Sequence, residues 1–415
     1  MKETIQGLLQ NPARLEQLYR SNKSEFKKAF SELYPTMPTD AVAQCWYERL
    51  NQESPSISFG KGSELIFVLV ASLVATCIAK IPDYTAVTWD FFYPRNISFI
   101  VFPTLMAYFI WKKKLSTKVI AFVGVLLLLA AAFINWLPEK DSSDTFLLSC
   151  IHLPLFAWAL LGFVYAGGDP KNLKDRPDYL RFNGDLLVMG SLIVSVVMAL
   201  TGITIGLFGL IGLRIEDFYT KWVLIAELCA SPLVATYVVR SNPQLVNKVS
   251  PVIARIFSPL VLITLVAYLI GIAVAKKDPF NDRDFLLLFN VLLIGVLAII
   301  FFSVVEMQRS EANRISLLIV LMLSAVTILV NGIALSAILY RISSWGFTPN
   351  RLAVLGGNLL FFINLILITR QLILQYRGKA ASDDSVEMSI AKFLPVYAAW
   401  TIVVTFLFPL IFGFH

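Results

Sequence analysis

From residue 65 onward the chain alternates long apolar runs with short polar connections. Eleven runs stand out: Leu65–Ile81, Ile97–Trp111, Val119–Leu137, Phe146–Ala166, Leu186–Leu213, Trp222–Val239, Ile256–Ala275, Phe285–Val305, Ile315–Leu339, Leu352–Ile373 and Phe393–Phe412. Most reach the ~20 residues that an α-helix needs to cross hydrocarbon. The pattern therefore predicts an all-α, polytopic transmembrane helical bundle over residues 65–415. The second run is short, and its helix is expected to begin earlier, near Phe91. Leu186–Leu213 is the opposite case, making about 42 Å of straight helix against ~30 Å of bilayer core. Tilt or a break would absorb the excess.

Residues 1–53 follow a different pattern. Met1–Gln10 is polar and amphipathic, with no apolar signal-peptide core. Asn11-Pro12 is a helix start, with Leu15, Leu18 and Tyr19 on one face. Asn22 opens a second helix carrying Phe26, Phe30, Leu33 and Tyr34, and Asp40 caps a third with Val42, Trp46 and Leu50. This predicts a small helical cytoplasmic unit, joined by a linker at residues 54–64. About fifty residues is marginal for independent folding. The unit is expected to pack on itself, on a cytoplasmic protein partner or on the membrane face.

Composition narrows the class further. The chain is 57% hydrophobic and 15% charged, with a mean hydropathy of +0.72, more apolar surface than a soluble core hides. The net charge of +7 is dispersed beside the apolar runs rather than gathered in one patch. It speaks for orientation in a bilayer, not for nucleic acid. With the amino terminus inside, 25 of the 35 basic residues fall on the cytoplasmic side and 10 outside, which favours an N-in, C-out arrangement. The four cysteines have neither metal nor redox spacing, and the two histidines make no metal pair. No cofactor, phosphate-binding loop or nucleophile motif is present, so no catalytic and no metal residue is assigned.

Candidate chemistry is sparse. Glu227, inside the sixth run, is the best candidate for ion coupling or a ligand contact, because a carboxylate at membrane depth is costly. The alternatives are pairing with Arg214 or Lys221, or simple protonation. Gly202 and Gly206 have the four-residue spacing that allows close helix approach, or they mark an unwound segment lining a site. Asn290, Asn331, Asn358 and Asn364 are expected to bind helix to helix. At the turn Trp345–Arg351, Trp345 is an interfacial anchor. Arg341 and Arg351 flank it against the positive-inside trend, which suggests an outer clasp onto acidic loops, notably Glu216-Asp217 or Asp282–Asp284, or an anionic ligand.

From about Asp178 the chain also carries a series of motifs in order. They are Tyr179-Leu180-Arg181-Phe182-Asn183-Gly184-Asp185, Thr201-Gly202-Ile203-Thr204-Ile205-Gly206-Leu207-Phe208, Ile215-Glu216-Asp217-Phe218-Tyr219 and Pro232-Leu233-Val234-Ala235-Thr236-Tyr237. Tyr340-Arg341-Ile342-Ser343, Gly346-Phe347-Thr348 and Asn350-Arg351 follow, with Phe347 where an aliphatic residue is expected. Over residues 178–370 the chain resembles the bacterial polytopic membrane proteins grouped as domain of unknown function 4153. The resemblance implies a bacterial inner-membrane protein and brings no activity and no functional residues with it.

Three functions compete. A permease or exporter of a small or amphipathic solute fits the kinked helices, the glycine-rich run and Glu227. A signalling or scaffold protein would use residues 1–53 to bind a cytoplasmic partner. A membrane enzyme on lipid-linked substrates would need clustered polar groups, for which Asp83, Asp90 and Arg95, or Arg214 with Glu216-Asp217, offer only loose outer groups.

Overall fold

The computed structural model describes residues 1–37, 40–51, 62–138, 143–275, 283–309, 314–379 and 385–414. The chain divides into two units, Met1–Ser58 and Phe59–His415.

The first unit holds four helices: α1 (Lys2–Leu8), α2 (Pro12–Ser21), α3 (Lys23–Leu33) and α4 (Ala41–Asn51). The side chain of Asn11 accepts from Arg14 N at 3.3 Å and that of Asn22 from Glu25 N at 3.3 Å, so both act as N-caps. Asp40 Oδ1 accepts from the backbone of Val42 and Ala43 at 2.8 and 2.9 Å. Phe26 and Trp46 form the centre, with ring centroids 5.2 Å apart and Leu15 and Phe30 buried around them. The unit closes its own apolar core. Helix α1 was not anticipated; a single fully buried side chain, Ile5, ties it in, too little periodicity to read in seven residues.

Among its described residues the second unit contains ten helices long and apolar enough to cross a membrane. They begin with α5 (Gly62–Ala79), α8 (Thr117–Trp136), α9 (Asp144–Tyr165) and α10 (Asp175–Leu210). The short helix α6 (Ile81–Tyr84) and the long helix α7 (Trp89–Lys113) stand between α5 and α8. After α10 come the single turn α11 (Glu216–Phe218), a π-helical stretch at Tyr219–Leu224, and α12 (Ile225–Ser241). Then follow α13 (Pro243–Ala275), α14 (Arg283–Arg309), α15 (Arg314–Trp345), α16 (Pro349–Tyr376) and α17 (Val386–Ile402). Helix α17 runs into a second π-helical stretch, Val403–Leu407, and a last turn, α18 (Phe408–Ile411).

Helix α7 is the chain's least apolar long helix and is not among the ten. It nevertheless runs the length of α5. Tyr93, near its start, donates to Ala79 O at the end of α5 at 2.9 Å, while Lys112, near its end, meets Glu64 in the first turn of α5. Its start at Trp89 agrees with the earlier beginning expected near Phe91.

The two largest apolar cores of this unit lie side by side along the chain order of its helices. One joins α5, α7, α9, the first turns of α10, and α12; the other joins α13 to α17. Trp158 packs on both, and its Nε1 donates to Asn183 Oδ1 at 2.9 Å. Close helix approach depends on other glycines than those expected. A Cβ on Gly356 would lie 2.1 Å from Trp400 Cζ2, and one on Gly184 would lie 2.2 Å from Phe302 Cδ2. Gly202 and Gly206 meet no other helix, and α10 continues through them without unwinding. Both expectations for these two glycines are therefore corrected: this stretch of α10 faces outward.

The amides behave as expected. Asn331 Nδ2 donates to Asn358 O at 3.0 Å and Asn358 Nδ2 to Asn290 Oδ1 at 2.9 Å, linking α15, α16 and α14. Asn364 Nδ2 donates to Tyr397 Oη at 2.9 Å, linking α16 and α17.

Candidate functional site: the polar seam along helix α7

Helix α7 carries polar groups at both ends because it is wrapped by α5, α8, α9 and α12 and can satisfy them inside the protein. Two prolines, Pro94 and Pro103, lie within it, and each removes a backbone donor from the helical ladder.

At its carboxyl end the charges are compensated. Glu64 is only 4% exposed and sits in the first turn of α5, where a negative charge is favoured by the helix dipole. Tyr108 donates a short hydrogen bond to Glu64 Oε1, and Lys112 Nζ lies 2.6 Å from Oε2. Lys113 donates to Tyr165 O and pairs with Asp175 at 3.4 Å. Arg240, at the end of α12, donates to Tyr165 Oη at 3.3 Å. On α10, Arg181 bridges Asp178 at 2.5 Å and Glu387 at 3.1 Å, which reaches α17. This end of the bundle is a polar lacing of six helices, α5, α7, α9, α10, α12 and α17.

The other end is different. Arg95, in the second turn of α7, is 0% exposed. Its Cζ lies 3.8 Å from the Phe91 ring centroid and 4.4 Å from that of Phe146 on α9. Nη1 donates to Phe91 O at 3.2 Å, while Nε and Nη2 are buried with no hydrogen-bond partner. No carboxylate among the described residues pairs with it; Asp83 is taken by Lys80 at 2.7 Å. A desolvated cation–π contact contributes about 2 kcal/mol, whereas enclosing an ion costs several kcal/mol and each unsatisfied donor a further ~1–3 kcal/mol. The aromatic clamp alone does not balance the guanidinium.

Two hydroxyls on elements that pack on α9 share that condition. Ser98 Oγ, one turn further along α7, and Thr405 Oγ1, in the π-helical stretch, are buried without a hydrogen-bond partner. Both α7 and that stretch pack on α9, where Ser149 Oγ donates to Thr405 O at 2.8 Å. Asn96 and Asn135 exchange two amide hydrogen bonds of 3.0 and 2.9 Å beside them. Single-turn π-helical insertions recur at functional sites.

Other expected site residues lie elsewhere. Glu227 is half-buried on α12, just past the first π-helical stretch, and its buried Oε2 has no hydrogen-bond partner. Neither Arg214 nor Lys221 pairs with it, so the pairing alternative is corrected; both basic residues are exposed. The outer clasp is described only in part, through Arg351 and its own turn. Arg351 Nη1 donates to Trp345 O and Gly346 O, both at 2.8 Å, and Arg341 lies 5.3 Å from the Trp345 ring. Among the described residues Glu216 and Asp217 form no ion pair, and Asp282 and the side chain of Asp284 lie outside them. Gly346, at φ +78°, ends α15 and leaves carbonyls that Arg351 reaches from the first turn of α16. The local cap takes the guanidinium that the distant acids were expected to hold.

Arg95 was read as a solvated outer group because a linear pattern shows only a charge at the edge of an apolar run. The usable signal was its place within a helix-length pattern starting at Trp89, with Phe91 one turn earlier. Comparisons with protein-family models, curated proteins and solved structures gave no significant match, and the resemblance to domain of unknown function 4153 rests on the motifs alone.

Proposed function

We propose that this chain is a permease- or exporter-like membrane protein for a small or amphipathic solute, with its binding locus in the α7–α9 seam. The observation that carries this reading is Arg95. A fully enclosed guanidinium with no acidic partner among the described residues is expensive in a membrane-spanning bundle, and such groups mark solute or ion pathways there. The sequence reading located the coupling residue at Glu227; the seam is now the stronger locus, and Glu227 is a second, half-buried carboxylate.

The same proposal includes eleven crossings, an N-in and C-out arrangement and a bacterial inner membrane. The antiparallel course of α7 along α5 supports the eleventh crossing: if α5 crosses, α7 returns the chain to the same side. Parity then puts the two chain ends on opposite sides.

Full-length protein reconstituted in liposomes tests the function. Imposed proton, sodium and solute gradients should drive tracer movement that Arg95→Gln lowers at least tenfold. Wild-type vesicles that move none of the solutes offered would overturn the transport reading. Alkaline phosphatase fused after His415 should be active if the arrangement is N-in and C-out, and inactive otherwise.

A further inference from the structure

We infer that Arg95 anchors an oxyanion-binding site, for a carboxylate, phosphate or sulfate group, in the seam between α7, α9 and Val403–Leu407. The inference rests on reading this seam as a ligand site, but not on transport.

Three observations converge. The first is which nitrogens are free. In a guanidinium, Nε–H and Nη2–H point in parallel from one edge and match two oxygens of a carboxylate or phosphate. Arg95 uses Nη1 on its own helix, at Phe91 O, and leaves that parallel pair buried with no hydrogen-bond partner. The second is rigidity. Phe91 and Phe146 lie against the planar group at 3.8 and 4.4 Å, which fixes its plane and restricts approach to the free edge. The third is the surroundings. Ser98 Oγ and Thr405 Oγ1 are buried without partners on elements that pack on the same helix. Hydroxyls of this kind donate to the remaining oxygens of a bound anion.

A halide would satisfy the charge but not the fork, so the geometry favours an oxyanion. An acidic phospholipid headgroup and a free anion share this chemistry. A half-open cavity of about 30 Å³ lies elsewhere, lined by Ser258, Ser303 and Glu306 together with apolar residues such as Pro259 and Val320. It lies among α13, α14 and α15, apart from the elements that make the seam.

The experiment is a thermal-shift and equilibrium-binding titration of the full chain in nanodiscs of phosphatidylcholine alone. The probes are acetate, inorganic phosphate and sulfate, against chloride at matched ionic strength. At least one oxyanion should stabilise the protein saturably, and chloride should not. Arg95→Lys, which keeps the charge but loses the parallel pair, should weaken binding at least tenfold, and Arg95→Gln should abolish it. Ser98→Ala, a milder change, should weaken it several-fold and keeps the test decisive if the arginine variants do not fold. Nanodiscs containing phosphatidylglycerol separate the sources. If they alone stabilise the protein, and Ser98→Ala reduces that effect, the anion is a lipid headgroup. The inference is overturned if no oxyanion and no acidic lipid binds saturably, or if Arg95→Lys binds as tightly as wild type. Binding without flux would overturn only the transport reading; flux without oxyanion binding would overturn only this inference.

Discussion

Lys112 Nζ lies 2.6 Å from Glu64 Oε2, joining the last turn of α7 to the first turn of α5 across 48 residues of chain. Tyr108 donates to the other carboxylate oxygen, so Glu64 holds two helix-borne donors at once. Removing one partner of a buried pair costs about 3–5 kcal/mol, and the half-exposed Lys112 sets the lower part of that range. Glu64→Ala should therefore lower the melting temperature of the purified protein clearly more than Lys112→Ala. Equal, small shifts would mean that solvent, not the pair, satisfies these groups.

The glycines offer a contrast within one protein. Gly356→Ala puts a methyl group 2.1 Å from Trp400 Cζ2, between two packed helices, and overpacking of this kind costs about 1–3 kcal/mol. Gly202→Ala and Gly206→Ala meet nothing within 4 Å, and alanine is the better helix former by about 1 kcal/mol. Melting curves should show Gly356→Ala destabilised and the other two unchanged or slightly improved. A loss of stability at Gly202 or Gly206 would instead reveal a contact made outside the single chain.

Arg351 distinguishes a local cap from a distant clasp. Its Nη1 serves the carbonyls of Trp345 and Gly346, and hydrogen bonds to charged groups contribute about 1.5–3 kcal/mol each when buried, less at this exposed end. Arg351→Ala should lower stability by about 1 kcal/mol, whereas the double change of Glu216 and Asp217 to Asn and Gln residues should leave melting unchanged. The reverse order of effects would restore the clasp.

In the amino-terminal unit, the guanidinium groups of Arg20 and Arg49 beside Glu16 hold its carboxyl below the ordinary 4.5. Lys2 does the same for Glu32. A carboxyl depressed by folding stabilises the folded state above its unfolded value and loses that contribution as pH falls through the folded one. Hydrogen exchange of α2 and α4 peptides should therefore quicken as pH drops below about 4.5, after correction for intrinsic rates. Glu16→Gln should flatten that dependence; an unchanged profile would remove the ion pairs from the account.

Most crossing helices were legible because an uninterrupted apolar run leaves the backbone no other way to satisfy itself in hydrocarbon. Helix α7 was only partly legible. Asp90, Pro94, Arg95 and Asn96 dilute its hydropathy, and what holds Arg95 and Asn96 is tertiary: Phe146 and Asn135 lie 51 and 39 residues away from them. Glu64 was assigned to a linker for the same reason, since Tyr108 and Lys112 are 44 and 48 residues distant. The glycine spacing at Gly202 and Gly206 misled in the other direction. Spacing permits close approach but supplies no partner, and Gly162, Gly184 and Gly356, without that spacing, each have a neighbouring ring over them.

Helix α10 has a consequence for the surrounding lipid. Its 36 residues make about 54 Å of helix, and beyond Val188, Thr201 is its one buried residue. With its charged turns from Asp175 to Asp185 at the headgroups, about 37 Å remains to fit a ~30 Å core. The helix must then lean by roughly 35°, near the upper end of observed tilts. Longer acyl chains would let it stand upright, and shorter ones would press it flatter. The area this protein occupies, and its preference among bilayers, is thereby set by acyl length, through a helix whose outer half answers to lipid more than to its own neighbours.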